Sequence, residues 1–123
     1  MNFEVTTGER KMITLEELKE YGADTEEAVA RCMGNADFYL SLVGKALEDQ
    51  NFGKLKEMIE KKDYDEAFSA AHALKGVTTN LSLTPLAKPI IEITNGLRKG
   101  EDRDYSEPLA EMERQLERLK GLA

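Results

Sequence analysis

The chain reads almost throughout as short apolar stripes at helical spacing, divided by polar punctuation. Alternation of apolar and polar positions, the mark of a half-buried strand, never lasts more than a few residues. The Asn95-Gly96 pair, a hairpin signal elsewhere, falls inside a helical pattern.

Residues 1–13 predict a loose arm. Thr14-Leu15-Glu16-Glu17 is a capping box that opens a short helix running to Tyr21, with Gly22 as its stop. Asp24 caps a second short helix through Met33, stopped by Gly34. Asn35 caps a third. Its apolar face is wide: Phe38, Leu42 and Ala46 alternate with Tyr39, Val43 and Leu47. Leu55, Met58 and Ile59 continue that face, so 36–61 is one long helix or two joined near Asn51–Gly53.

The next helix starts near Asp63 or Asp65 and runs to Ser82. Thr84-Pro85 reads as an N-cap followed by proline at the first helical position. Leu86, Ile90, Ile93 and Leu97 form its stripe, and Gly100 is its stop. Pro89 lacks a backbone donor, which predicts an irregular first turn or a start displaced to Lys88. A polar loop spans Gly100 to Tyr105. Ser106 caps a last helix that turns Leu109, Met112, Leu116 and Leu119 inward. The prediction is an all-α, antiparallel up-down-up-down four-helix bundle with one or two short N-terminal helices, a single domain over 14–123.

Composition narrows what such a bundle does. Seventeen basic against 24 acidic residues leave a net charge of −7, which argues against a nucleic-acid phosphate surface. No apolar run is long enough to span a membrane, and charges interrupt the start where a signal peptide is apolar. A cytoplasmic location is the simplest expectation. One cysteine, Cys32, and one histidine, His72, are a poor basis for a zinc site or a Ser-His-Asp triad. No metal site and no cofactor of the chain's own are expected.

Any histidine chemistry must therefore run through His72. At about 100° per residue, Ala67, Ala70, Ala71, Leu74, Val77, Thr78 and Leu81 share one arc, the core face, and His72 lies about 160° from Leu74. The imidazole points away from the core. Gly76, one turn on, costs roughly 1 kcal/mol against alanine in a helix but lets another molecule come close. Lys75 offers an ammonium to an anion on the ring, and the neighbours Ser69, Ala73 and Thr79 are small. A hairpin pivoting near Leu83 puts His72 level with Thr94, whose hydroxyl is the candidate imidazole partner.

The run Ala71-His72-Ala73-Leu74-Lys75-Gly76-Val77-Thr78-Thr79-Asn80-Leu81 resembles the signature of histidine-containing phosphotransfer (HPt) domains. The segment from Ala28 to Asn35, followed by Phe38 to Asp49, is similar to the family's opening segment and first bundle helix. The resemblance covers about residues 25–120. Thr94 stands where the family has Gln or Glu, Ser82 where many members have Gly, and Thr79 where many have Gly or Ala.

The resemblance implies a phosphorelay intermediate of two-component signal transduction. His72 takes a phosphoryl group from a receiver-domain aspartate through Nε2 and passes it to another receiver aspartate. In that reading Lys75 offsets the phosphoryl charge, Gly76 admits the partner, and Thr94 orients the ring. Met33, Tyr39, Ala73 and Thr79 are the candidate docking residues. The chain is then a phosphocarrier rather than an enzyme. Its partners are response-regulator receivers or a hybrid sensor kinase, and Mg²⁺ sits on the receiver. No nucleic acid or membrane is involved, and a free-standing monomer is expected. The alternatives are a module that binds a receiver or kinase without carrying phosphate, and a plain helical scaffold.

Overall fold

The computed structural model describes residues 13–122. Of the arm expected over 1–13, only Ile13 falls within them, and it is buried in the core. The rest of the arm lies outside the described residues.

Seven helices follow in the described residues: α1 Leu15–Tyr21, α2 Thr25–Arg31, α3 Ala36–Ala46, α4 Asn51–Glu60, α5 Tyr64–Asn80, α6 Thr84–Arg98 and α7 Ser106–Leu122. They form the expected all-helical bundle, with α1 and α2 in front. The capping box at Thr14 is complete, since its hydroxyl accepts from Glu17 N–H while the Glu17 carboxylate accepts from Thr14 N–H. Asp24, Asn35 and Asp63 each accept from the backbone N–H three residues on.

Several boundaries differ from expectation. The second helix stops at Arg31, because Met33 and Gly34 both adopt left-handed backbone (φ 57° and 80°). The 36–61 stretch is two helices, and the break falls at 47–50, before Asn51 rather than at Gly53. There the Asp49 carboxylate accepts the Asn51 N–H at 2.8 Å and starts α4 with the cap that Gln50 does not supply. Thr84 is not a cap. It is the first helical residue, and Leu83 precedes it without a side-chain cap. The helix does not slip to Lys88. Pro89 lies inside it, buried, where its missing N–H removes only the bond to the Pro85 carbonyl near the helix start. Ser106 likewise opens α7 from within, and the Asp104 carboxylate accepts both its N–H (2.9 Å) and its hydroxyl.

Core burial follows the stripes. Ala67, Ala70, Ala71, Leu74 and Thr78 of α5 are buried, as are Leu86, Ile90, Ile93 and Leu97 of α6 and Leu109, Met112 and Leu119 of α7. Truncating a side chain such as Leu74 to alanine in such a core costs about 2–5 kcal/mol. The antiparallel α5–α6 register also holds. The Leu83 pivot puts Phe68 level with Arg98, and the Arg98 guanidinium carbon lies 5.7 Å from the Phe68 ring centroid. The same pivot puts Tyr64 level with Asp102, and the Tyr64 hydroxyl donates to the Asp102 carboxylate at 2.8 Å.

Candidate functional site

His72 stands on the solvent side of α5, exposed, as its helical phase requires. Ala73 and Gly76 beside it are exposed too, and Lys75 is half-buried. Helical side chains lean toward the helix N-terminus, onto the residue four positions back. Here that residue is Phe68. Its ring stacks on the imidazole with centroids 5.7 Å apart and planes 22° from parallel.

The side toward the helix C-terminus is open. Among the described residues, a Cβ added to Gly76 would meet no atom within 4 Å beyond its chain neighbours and the backbone of its own helix. Internal packing therefore gives no reason for glycine there. The glycine borders a groove of about 750 Å³ between α3 and α5, with His72 and Ala73 on one wall and Leu42, Lys45 and Asp49 on the other. Among the described residues neither Lys45 nor Lys75 is paired with a carboxylate, so both positive charges are available to an anion.

The Thr94 reading needs correction. Thr94 is level with His72, but it is fully buried and its hydroxyl donates to the Ile90 carbonyl at 2.7 Å. Its place on α6 turns it into the core, between Ile90 and Ile93, instead of toward the imidazole. Among the described residues none hydrogen-bonds His72. Tyr39 is corrected as well: it is fully buried, and its hydroxyl donates to the Leu81 carbonyl at 2.8 Å. It lies on the α3 face that carries the buried Val43 and Ala46, so it is a core residue and not part of a docking surface. The exposed aromatic of α3 is its neighbour Phe38, 51% exposed.

Met33 is 94% exposed, held outward on a left-handed turn. Thr79 is exposed, but its hydroxyl is spent on its own helix, donating to the Lys75 carbonyl at 2.7 Å. Ser82 explains why its position favours glycine, since its φ is 57°. Serine is held there by partners: its hydroxyl donates to Glu27 and accepts from Arg31, both at 3.0 Å, and Arg31 also donates to the Asn80 carbonyl at 2.6 Å. That network ties α2 to the end of α5, one turn beyond Gly76.

Sequence reasoning missed Phe68, Arg98 and Lys45. The hairpin register held a signal for the first two, because it sets them level. Lys45 had none, since its place depends on how α3 crosses α5.

Among the described residues no group of three or more His, Cys, Asp or Glu side chains is arranged to hold a metal ion, and no helix is long and apolar enough to cross a membrane. Comparison with the curated proteins and with the solved structures gives no match. A family model does match: that of the Hpt domain, over residues 12–122. That span takes in all seven helices, the exposed His72 and the open position at Gly76. Hpt domains are phosphocarrier modules that work with receiver domains in phosphorelays, and by a match over nearly its whole length this chain belongs to the Hpt domain family.

Proposed function

We propose that His72 is the phosphoacceptor of a phosphorelay. The observation that carries this reading is the placement of the chain's single histidine. It is exposed at the rim of an open groove, beside a glycine whose missing side chain would touch nothing beyond its own helix among the described residues.

The neutral imidazole attacks the phosphorus of a receiver's aspartyl phosphate. The P–Nε2 bond forms as the P–O bond to aspartate breaks, and the carboxylate leaves. In the onward step the P–N bond breaks and a P–O bond forms on the next receiver's aspartate. Such transfer needs alignment and charge stabilisation more than covalent help. Lys75 supplies positive charge from the next turn of α5, and the unpaired Lys45 adds a second cation from α3. Gly76 leaves room for the receiver's backbone. Mg²⁺ and the rest of the charge stabilisation belong to the receiver. Met33, Phe38 and Ala73 supply exposed apolar surface for docking. The chain acts as a carrier, as a monomer, in the cytoplasm where receivers are phosphorylated.

The test is transfer from a phosphorylated receiver domain to the wild-type chain and to His72→Gln. An acid-labile, alkali-stable phosphate that is absent from the folded variant supports the assignment. A folded wild-type chain that stays unlabelled by a panel of receivers overturns it in favour of a binding module.

A further inference from the structure

The imidazole lacks the hydrogen-bonding partner expected from α6, but it has an aromatic neighbour on its own helix. Phe68 stacks on it at 5.7 Å and 22°. Phe68 is in turn half-buried against the core and covered by the Arg98 guanidinium at 5.7 Å. Arg98 is held by its own helix, donating to the Asn95 side-chain oxygen at 3.2 Å. A brace thus runs from Asn95 through Arg98 and Phe68 to His72, and it crosses from α6 to α5 one turn away from the level where Thr94 turns inward.

We infer that Phe68 is a positioning residue for His72, fixing the imidazole by stacking where a hydrogen bond from the neighbouring helix is absent, with Arg98 as the clamp on Phe68. The inference rests on the reading of His72 as phosphoacceptor. The stack limits rotation of the ring while leaving both nitrogens without a hydrogen-bond partner among the described residues. It walls the ring on the side of the helix N-terminus, so the phosphoryl group arrives over Gly76. Two aromatic planes at a shallow angle attract one another, and a guanidinium over an aromatic face adds to the hold.

Phe68→Leu keeps an apolar side chain and removes the ring face, while Phe68→Tyr keeps both. Because His72 is the only histidine, its ring protons give unique NMR signals. In the wild type they are displaced upfield by the Phe68 ring current. In Phe68→Leu that displacement disappears. The maximal rate of transfer from a phosphorylated receiver falls about tenfold, while the half-saturating receiver concentration holds. Phe68→Tyr restores both readouts, and Arg98→Met gives a smaller loss of rate in the same direction. If Phe68→Leu leaves the ring signals in place, or transfers within about twofold of wild type, the positioning role is overturned while His72 remains the acceptor. A wild-type chain that never labels removes the acceptor reading itself, and the positioning role falls with it.

Discussion

The Tyr39 hydroxyl reaches 2.8 Å from inside the bundle to the carbonyl oxygen of Leu81, the residue that caps the histidine-bearing helix. This bond joins α3 to the C-terminal end of α5, where Leu81 borders the groove that His72 also lines. Tyr21, the other deeply buried tyrosine near the front helices, has a hydroxyl with no hydrogen-bond partner among the described residues. The two side chains should therefore respond oppositely to loss of the oxygen. Tyr39→Phe strands a buried carbonyl and is expected to lower stability by about 1–3 kcal/mol. Tyr21→Phe removes an unsatisfied group and is expected to be neutral or stabilising. Urea unfolding of the two variants checks both signs.

Alkaline pH gives a second expectation. Burial pushes both Tyr21 and Tyr39 up to about 12, from an ordinary value near 10. The folded chain keeps these protons where the unfolded chain gives them up. Stability should be full below about pH 10 and fall as pH rises toward 12. The double variant Tyr21→Phe/Tyr39→Phe should flatten most of that fall. A remainder persists from Tyr105, which burial also raises. Thermal melts from pH 8 upward would read the difference.

Two helix glycines should separate carrying from folding. At Gly76 an added Cβ meets nothing, so Gly76→Ala should stabilise α5 by up to about 1 kcal/mol. It should nevertheless slow phosphoryl transfer, because the methyl group occupies the partner's approach. At Gly96 the same Cβ would lie 2.8 Å from the Tyr105 hydroxyl oxygen and 3.0 Å from its ring. Gly96→Ala should cost about 1–3 kcal/mol and leave the chemistry at His72 intact. A melt and a transfer assay on each variant suffice.

Lys75 is expected to affect rate rather than fold. It has no carboxylate partner among the described residues, so Lys75→Ala should change stability by less than about 0.5 kcal/mol. Loss of its charge from the phosphoryl group should slow transfer about tenfold to a hundredfold. Lys45→Ala should give a smaller decrease. Rapid-quench transfer from a labelled receiver measures both.

The helical phase of His72 was legible because burial on α5 is one-sided: seven apolar or small positions define an arc, and the imidazole falls opposite it. The caps at Thr14, Asp24 and Asn35 were legible because their hydrogen bonds are local, and Asp63 was one of two starts left open beside Asp65. The break at 47–50 was not. Its signal is a single aspartate turning back on Asn51, and the pattern left open one long helix or two joined near Asn51–Gly53. Thr94 and Tyr39 failed for a different reason. Level and spacing place a residue along a helix, but a rotation of a few tens of degrees decides whether it faces the core or the neighbouring edge. The stack of Phe68 on His72 has a local signal in its four-residue spacing, but its geometry depends on side-chain rotamers and on Arg98 arriving from another helix.

The opposition of His72 to the α5 core face separates two kinds of evolutionary freedom. In the proposed relay, partner choice is expected to reside in exposed positions such as Met33, Phe38 and Ala73, where a substitution shifts stability by less than about 0.5 kcal/mol. The α5 residues that hold the bundle together, such as Ala67, Ala71 and Leu74, lie on the face of that helix opposite His72. A lineage could thus retarget this carrier to a different receiver by successive surface changes, each neutral for folding, without passing through an unstable ancestor.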